Sequence, residues 1–282
     1  MKLLELDHTA FRQNFGHTPF LVRHLLAGEE LFSLPKLVEL ARRLPAAQVE
    51  YNAGNVPVTL DPAKTPRTGL SAEETIRRIE DCRSWLVLKN VEREPEYGAL
   101  LDRCLSEVRE FSETLAAGMT DKESFIFVSS PGSVTPYHMD PEQNFLLQIR
   151  GRKTMSVFDP ADPSVLTERE IERFYSGAHR NLVFREELRP KARLFELTPG
   201  LGVHVPVTAP HWVQNGDEVS ISFSITFQTM ASMRRAHAHR INAGLRGWGL
   251  RPSPVGRSVI RDGLKQFLFR AKSRAARMLA RV

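Results

Sequence analysis

"TPYHMDPEQNFLLQIRGRK", residues 135–153, sets a histidine, an aspartate, an asparagine and a lysine around one short apolar run. Burying a polar group without a partner is costly, so a strand this polar is expected to hold something. His138 and Asp140 lie two residues apart. On an extended strand their side chains share a face, about 7 Å apart at the backbone, which suits two ligands chelating one metal ion. A third ligand must come from elsewhere, and "PGLGVHVPVTAPHWVQN", residues 199–215, offers His204 and His211. Two histidines and one carboxylate with open positions suit a non-haem Fe(II) centre, whereas a structural zinc site closes its fourth position with protein. Alone, H-x-D is a common dipeptide spacing. Its plainer reading is a histidine bonded to a turn and an aspartate capping "DPEQN".

Outward from this stretch the pattern is one of short strands. "SFIFVSS", "NFLLQIRG", "KTMSVFDP", "ARLFEL", "GVHVPV" and "EVSISFSITFQ" follow one another between residues 124 and 228, separated by Gly, Pro and Asp turns. Such a series predicts a sandwich or barrel, broken by one helical insert, "DPSVLTEREIERFY". The loop at 176–192 is long enough to form a lid facing a substrate. The first 125 residues read as mainly helical, with "LPKLVELARRL" and "GALLDRCLSEVREFSETLAAG" apolar at three- and four-residue spacing. Strands are expected at "PFLVRHL" and "SWLVLKNV", with a Pro- and Gly-punctuated loop, "NAGNVPVTLDPAKTPRTG", between them.

The 282 residues suffice for one large domain or two small ones, and 41 % hydrophobic residues is ordinary for a globular core. Asp7 and His8 interrupt the N-terminus before a signal-peptide run, and no apolar stretch approaches membrane-span length. Cys82 and Cys104 make neither a disulfide framework nor a zinc spacing, so a reducing, cytoplasmic location is expected. The net charge of +6 is unevenly spread. Residues 231–282 hold eleven arginines and two lysines against Asp262 alone, a net +12, which leaves the preceding 230 residues at −6. A basic tail on a mildly acidic body points to a separate task for the tail.

At this point the chain resembles the JmjC-type, cupin-fold Fe(II)/2-oxoglutarate oxygenases, and within them the asparaginyl hydroxylase that acts on hypoxia-inducible factor. The residues that carry the resemblance are T-P-x-H-x-D, Q-N-F, Q-I-x-G-x-K and F-x-P within 131–160, and the P-G turn, Pro-ended strand and histidine of 199–227. The fold this implies is a double-stranded β-helix (jelly-roll, cupin) barrel at 124–230. A helical region with flanking strands at 1–123 wraps it, and a basic, helical tail follows at 231–282. The resemblance makes His138, Asp140 and His211 the iron ligands and His204 a lining or packing residue. It places Lys153 and Thr135 on the distal carboxylate of 2-oxoglutarate, Asn144 near metal and cosubstrate, and Ser224 where the family has an asparagine. The implied reaction is hydroxylation of a protein side chain or small molecule with O2, releasing succinate and CO2. Leu201 stands where the family has an acid, the aromatic residue falls after His211 rather than before it, and the family's upstream cosubstrate tyrosine has no evident match. These departures concern the substrate side. Two other readings stay open: a metal-binding cupin without oxygenase activity, or a nucleic-acid-binding regulator acting through its tail.

In the tail, 100° per residue places Ile260, Leu264, Phe267, Leu268, Ala271, Ala275, Met278 and Val282 on one stripe. Lys265 and Lys272 border one edge, Arg270, Arg274, Arg277 and Arg281 the other, and Phe269 falls on the polar side. Three partners suit such a helix: the barrel body, a second copy in a homodimer (as the resemblance implies), or an anionic membrane surface. His237 and His239, in "RRAHAHR", are expected to be solvated rather than a second metal site, since residues i and i+2 diverge on a helix.

Overall fold

In "SISFSITFQ", Ser220–Gln228, Phe and Ile alternate with Ser and Thr, so an extended chain presents one apolar and one polar face. That alternation, repeated in neighbouring strands, organises the molecule. The computed structural model describes residues 2–279. Its strands are β1 (Leu4–Glu5), β2 (Phe20–His24), β3 (Val49–Ala53), β4 (Ser84–Lys89), β5 (Thr120–Ser129), β6 (Val134–His138), β7 (Gln143–Arg150), β8 (Lys153–Val157), β9 (Arg193–Leu197), β10 (Leu201–Val205), β11 (His211–Asn215) and β12 (Ser220–Gln228). The helices are α1 (His8–Asn14), α2 (Leu34–Arg43), α3 (Ala72–Arg77), α4 (Pro95–Ser112), α5 (Glu168–Tyr175), α6 (Met230–Gly247) and α7 (Val259–Leu279).

Two antiparallel sheets result, the larger in the order β1-β2-β10-β7-β12-β5-β4-β3 and the smaller β6-β11-β8-β9. On the outer face of the large sheet, Leu86, Leu88, Ile126, Val128, Phe145, Leu147, Phe223, Ile225 and Phe227 join one core with Phe11 of α1, Leu37 and Leu40 of α2, and Leu101, Leu105 and Val108 of α4. Each such side chain contributes roughly 1.5–3 kcal/mol on burial. The N-terminal helices therefore cover the sheet rather than form a separate body. Residues 1–123 also supply four of its eight strands, with β2 paired to β10 and β4 to β5.

The inner face carries the polar half of the alternation. Ser222 donates to Gln148 Oε1 at 2.6 Å, and Ser224 donates to Asn144 Oδ1 at 2.8 Å. Leu146, Met155, Val157, Val205 and Val213 fill the space between the sheets, closing the barrel. The strands expected between 124 and 228 are present, and so are those at 20–24 and 84–89.

Several details differ from the sequence reading. The series omitted β6 and β11, which are short and hold polar side chains that mask their period. β3 takes in residues 52 and 53 of the expected loop, because pairing with β4 outweighs the local turn signal. β6 ends at His138, so Asp140 stands in the turn beyond it and not on an extended strand. His237 and His239 are not solvated: His239 is buried 3.7 Å from Glu168, and His237 stacks on Phe269.

Candidate metal centre

The ends of two paired strands build the site. His211 opens β11 and lies opposite His138, the last residue of β6. A backbone carbonyl fixes each ring: His138 Nδ1 lies 2.7 Å from Pro136 O, and His211 Nδ1 lies 2.9 Å from Ala209 O. Nδ1–H is then the donor in both, which leaves each Nε2 a free lone pair. Both Nε2 atoms lie 3.6 Å from Asp140 Oδ2. Two metal bonds of about 2.1 Å at right angles need donors roughly 3 Å apart, so small rotations admit a divalent ion. Among the described residues, His138, Asp140 and His211 are the one group of three potential ligands this close.

Charge and burial prepare these donors. Burial pushes the Asp140 carboxyl up, but Arg180 together with His138 and His211 outweighs it and holds the group well below the usual carboxylate range. Burial, then the neighbouring His138, lowers His211 to about 3, so its ring is neutral and ready to ligate. Arg180 donates to Asp140 Oδ1 at 2.9 Å and so turns Oδ2 toward the two imidazoles. The sequence reading missed Arg180. It sits in the loop singled out as a lid, where no local motif marks it.

The other expected residues divide by location. Thr135, Asn144 and Ser224 line a cavity of about 740 Å³ that also exposes His138 and Asp140. His204 is fully buried among Phe15, Phe20 and Phe145, with Nε2 3.0 Å from Gln143 Oε1, and is remote from the three ligands in role and packing. Lys153 is buried, and among the described residues no carboxylate or hydrogen-bond acceptor meets its ammonium. Burial alone lowers it to about 7. In register, Lys153, Met155 and Val157 of β8 face Asn215, Val213 and His211 of β11, so all six share the barrel-facing side. Lys153 therefore lies four residues, or about 13 Å, along the interior from the rung of His211.

The cavity wall adds residues that the sequence did not mark. Trp85, Phe125, Phe127 and Phe174 give it an aromatic side, and Glu50, Glu142, Arg67 and Lys89 a charged one. Trp85 Nε1 is buried without an acceptor. Burial, with Asp140 and Glu123 nearby, raises the Glu142 carboxyl to about 8.

Known proteins share this fold. The oxygenase YcfD of Escherichia coli has a similar fold, with a TM-score of 0.55 and 16 % identity over 96 % of this chain and 69 % of that one. A second structure of YcfD, described as a ribosomal oxygenase in complex with cobalt and 2-oxoglutarate, gives a TM-score of 0.53 at 15 % identity, covering 96 % of this chain and 68 % of that one. Among curated proteins, lysine-specific demethylase 8 of Danio rerio is 30 % identical over 102 residues, 34 % of this chain and 24 % of that protein. Its Xenopus tropicalis counterpart is 27 % identical over 143 residues, 44 % of this chain and 27 % of that protein. The matches thus span about a quarter of those relatives' length. The model of the cupin-like domain family matches residues 41–244, which takes in β3 through β12, the three ligands and most of α6; the chain belongs to that family.

Proposed function

We propose that the protein is an Fe(II)- and 2-oxoglutarate-dependent oxygenase, a hydroxylase of a protein side chain or a small molecule that uses O2 and releases succinate and CO2. One observation carries the reading: an unpaired, buried lysine on the same interior face as a three-ligand centre. A lone metal site has no need of it, whereas a dicarboxylate bound to the metal at one end requires a cation at the other. The lysine stem and a five-carbon diacid together suit the interval between Lys153 and His211. YcfD, whose fold this chain shares, has been crystallised with cobalt and 2-oxoglutarate and with cobalt and succinic acid.

His138, Asp140 and His211 would hold the iron, which when bound supplies the oxidative chemistry toward a C–H bond. The rest falls to this chain's own side chains. Lys153 and the Thr135 hydroxyl bind the distal carboxylate, and Trp85 Nε1 is a further donor for the same chamber, standing in for the missing tyrosine. The Asn144–Ser224 pair fixes the wall between cosubstrate and ligands. Arg180 keeps Asp140 ionised and oriented, and the aromatic side of the cavity excludes water from the target.

The experiment is succinate formation from 2-oxoglutarate with Fe(II), with pools of peptides and metabolites as substrate. Turnover is expected with the native chain, and loss of at least about a hundredfold on removing any of His138, Asp140 or His211, while His204→Ala retains iron binding. Iron binding that survives His211→Ala but not His204→Ala would overturn the ligand assignment.

A further inference from the structure

The tail helix is held by the side that its sequence made the exception. Phe269 of α7 stacks on His237 of α6, with ring centroids 3.9 Å apart, and Arg240 lies 5.8 Å over the same ring. Lys265, expected at a solvent-facing edge, is buried instead: it donates to Ser253 O at 2.8 Å and to Asp262 Oδ1 at 3.1 Å. Asp262 Oδ2 in turn accepts from Gly256 N at 2.7 Å. These contacts fix the rotation of α7 about its axis. At about 100° per residue, Asp262 and Phe269 lie opposite the middle of the apolar stripe, and Lys265 lies beyond its edge, about 110° from that middle.

Among the described residues, the stripe therefore does not pack on the barrel body. Ile260 is 86 % exposed, Leu264 59 %, Phe267 68 % and Leu268 43 %. Trp248, in the connection from α6 to α7, is 83 % exposed, and Leu250 beside it is open as well. Val282, and the side chains of Ala275 and Met278, lie outside the described residues. Isolated exposed apolar residues are common, but a run of four on one helix face, held outward by contacts on the opposite face, marks an interaction surface.

We propose that this face docks on an anionic phospholipid surface. Charge selects the occupant. Arg261 and Arg270 are exposed on either side of the stripe, and the tail sums to +12 with Asp262 its only acid, already occupied by Lys265 and Gly256. Packing the stripe of one copy against that of another would bring two arginine rows together with no acid between them. An anionic lipid headgroup layer neutralises those rows while the acyl boundary accepts Ile260, Leu264 and Phe267. An indole such as Trp248 favours the same boundary. The rest of the chain sums to −6, so such a surface repels the body and confines contact to the tail. The iron centre plays no part in this inference.

The test is co-sedimentation of the full chain with phosphatidylcholine vesicles, with and without phosphatidylglycerol. The protein is expected to pellet with the anionic vesicles only, and to be released as salt shortens the screening length. Exchanging one cation, Arg261→Gln or Arg270→Gln, should weaken binding about fivefold. Leu264→Asp with Phe267→Asp should abolish it, and because both residues are exposed the folded chain is kept, as its unchanged circular dichroism will show. Two results overturn the proposal. One is no preference for anionic over neutral vesicles. The other is a dimer in light scattering that the Leu264→Asp, Phe267→Asp chain converts to monomer, which gives the face to a second copy.

Discussion

Replacing Lys153 with methionine separates a binding lysine from a structural one. Methionine keeps the length of the side chain and removes the charge. Burial brings the lysine from its ordinary 10.5 to about 7. At about 1.4 kcal/mol per unit, holding this charged side chain in the barrel interior costs on the order of 4–5 kcal/mol. The sign follows from linkage. The folded value lies below the unfolded one, so the cost is absent above about 10.5, grows as pH falls and is complete below about 7. At neutral pH Lys153→Met should therefore make the cosubstrate-free protein more stable, by up to roughly 4 kcal/mol. The same change removes a charge-assisted contact worth about 1.5–3 kcal/mol, so 2-oxoglutarate should bind about ten- to a hundredfold more weakly. In the native chain, binding above pH 7 requires Lys153 to take up a proton, and affinity should fall by up to about tenfold per pH unit there. Thermal denaturation and calorimetric titration with 2-oxoglutarate, with Mn(II) in place of iron to prevent turnover, read both quantities. A variant that loses stability, or binds 2-oxoglutarate as the native chain does, would show that Lys153 has a structural partner and that the reasoning fails.

Two further substitutions probe what supports the site. Arg180→Gln should leave the ligands in place but free Asp140 to turn, lowering affinity for Mn(II) or Co(II) about ten- to a hundredfold. Metal titration followed by fluorescence or calorimetry measures it, and unchanged affinity would remove Arg180 from the account. Glu172 of α5 is 2 % exposed and meets Arg246 of α6 at 2.7 Å, so Arg246→Ala strands a buried carboxylate and should cost about 3 kcal/mol. A shift in the urea midpoint checks this. Arg246→Ala paired with Glu172→Met should recover most of the loss, and failure to recover it would point to packing rather than charge.

What the sequence determined by itself was chemistry and period. Residues 135–153 and 199–215 contain the donors, and alternation in residues 220–228 gives the two-faced strand on which the barrel depends. Both signals are local, and both survive folding because a strand's period of two keeps its polar residues on one side. Spacing alone left His204 and His211 as rival ligands, and only the family resemblance favoured His211. Tertiary structure separated them by placing His204 against Phe15, Phe20 and Phe145 and His211 opposite His138. Arg180 was invisible for a related reason. Its partner is 40 residues away, and the ion pair exists only once the loop closes over the barrel mouth. The tail shows the same division. Periodicity located the apolar stripe, but which side of α7 meets the body was decided by the ring of Phe269 against His237, a contact across two helices that no helical wheel contains.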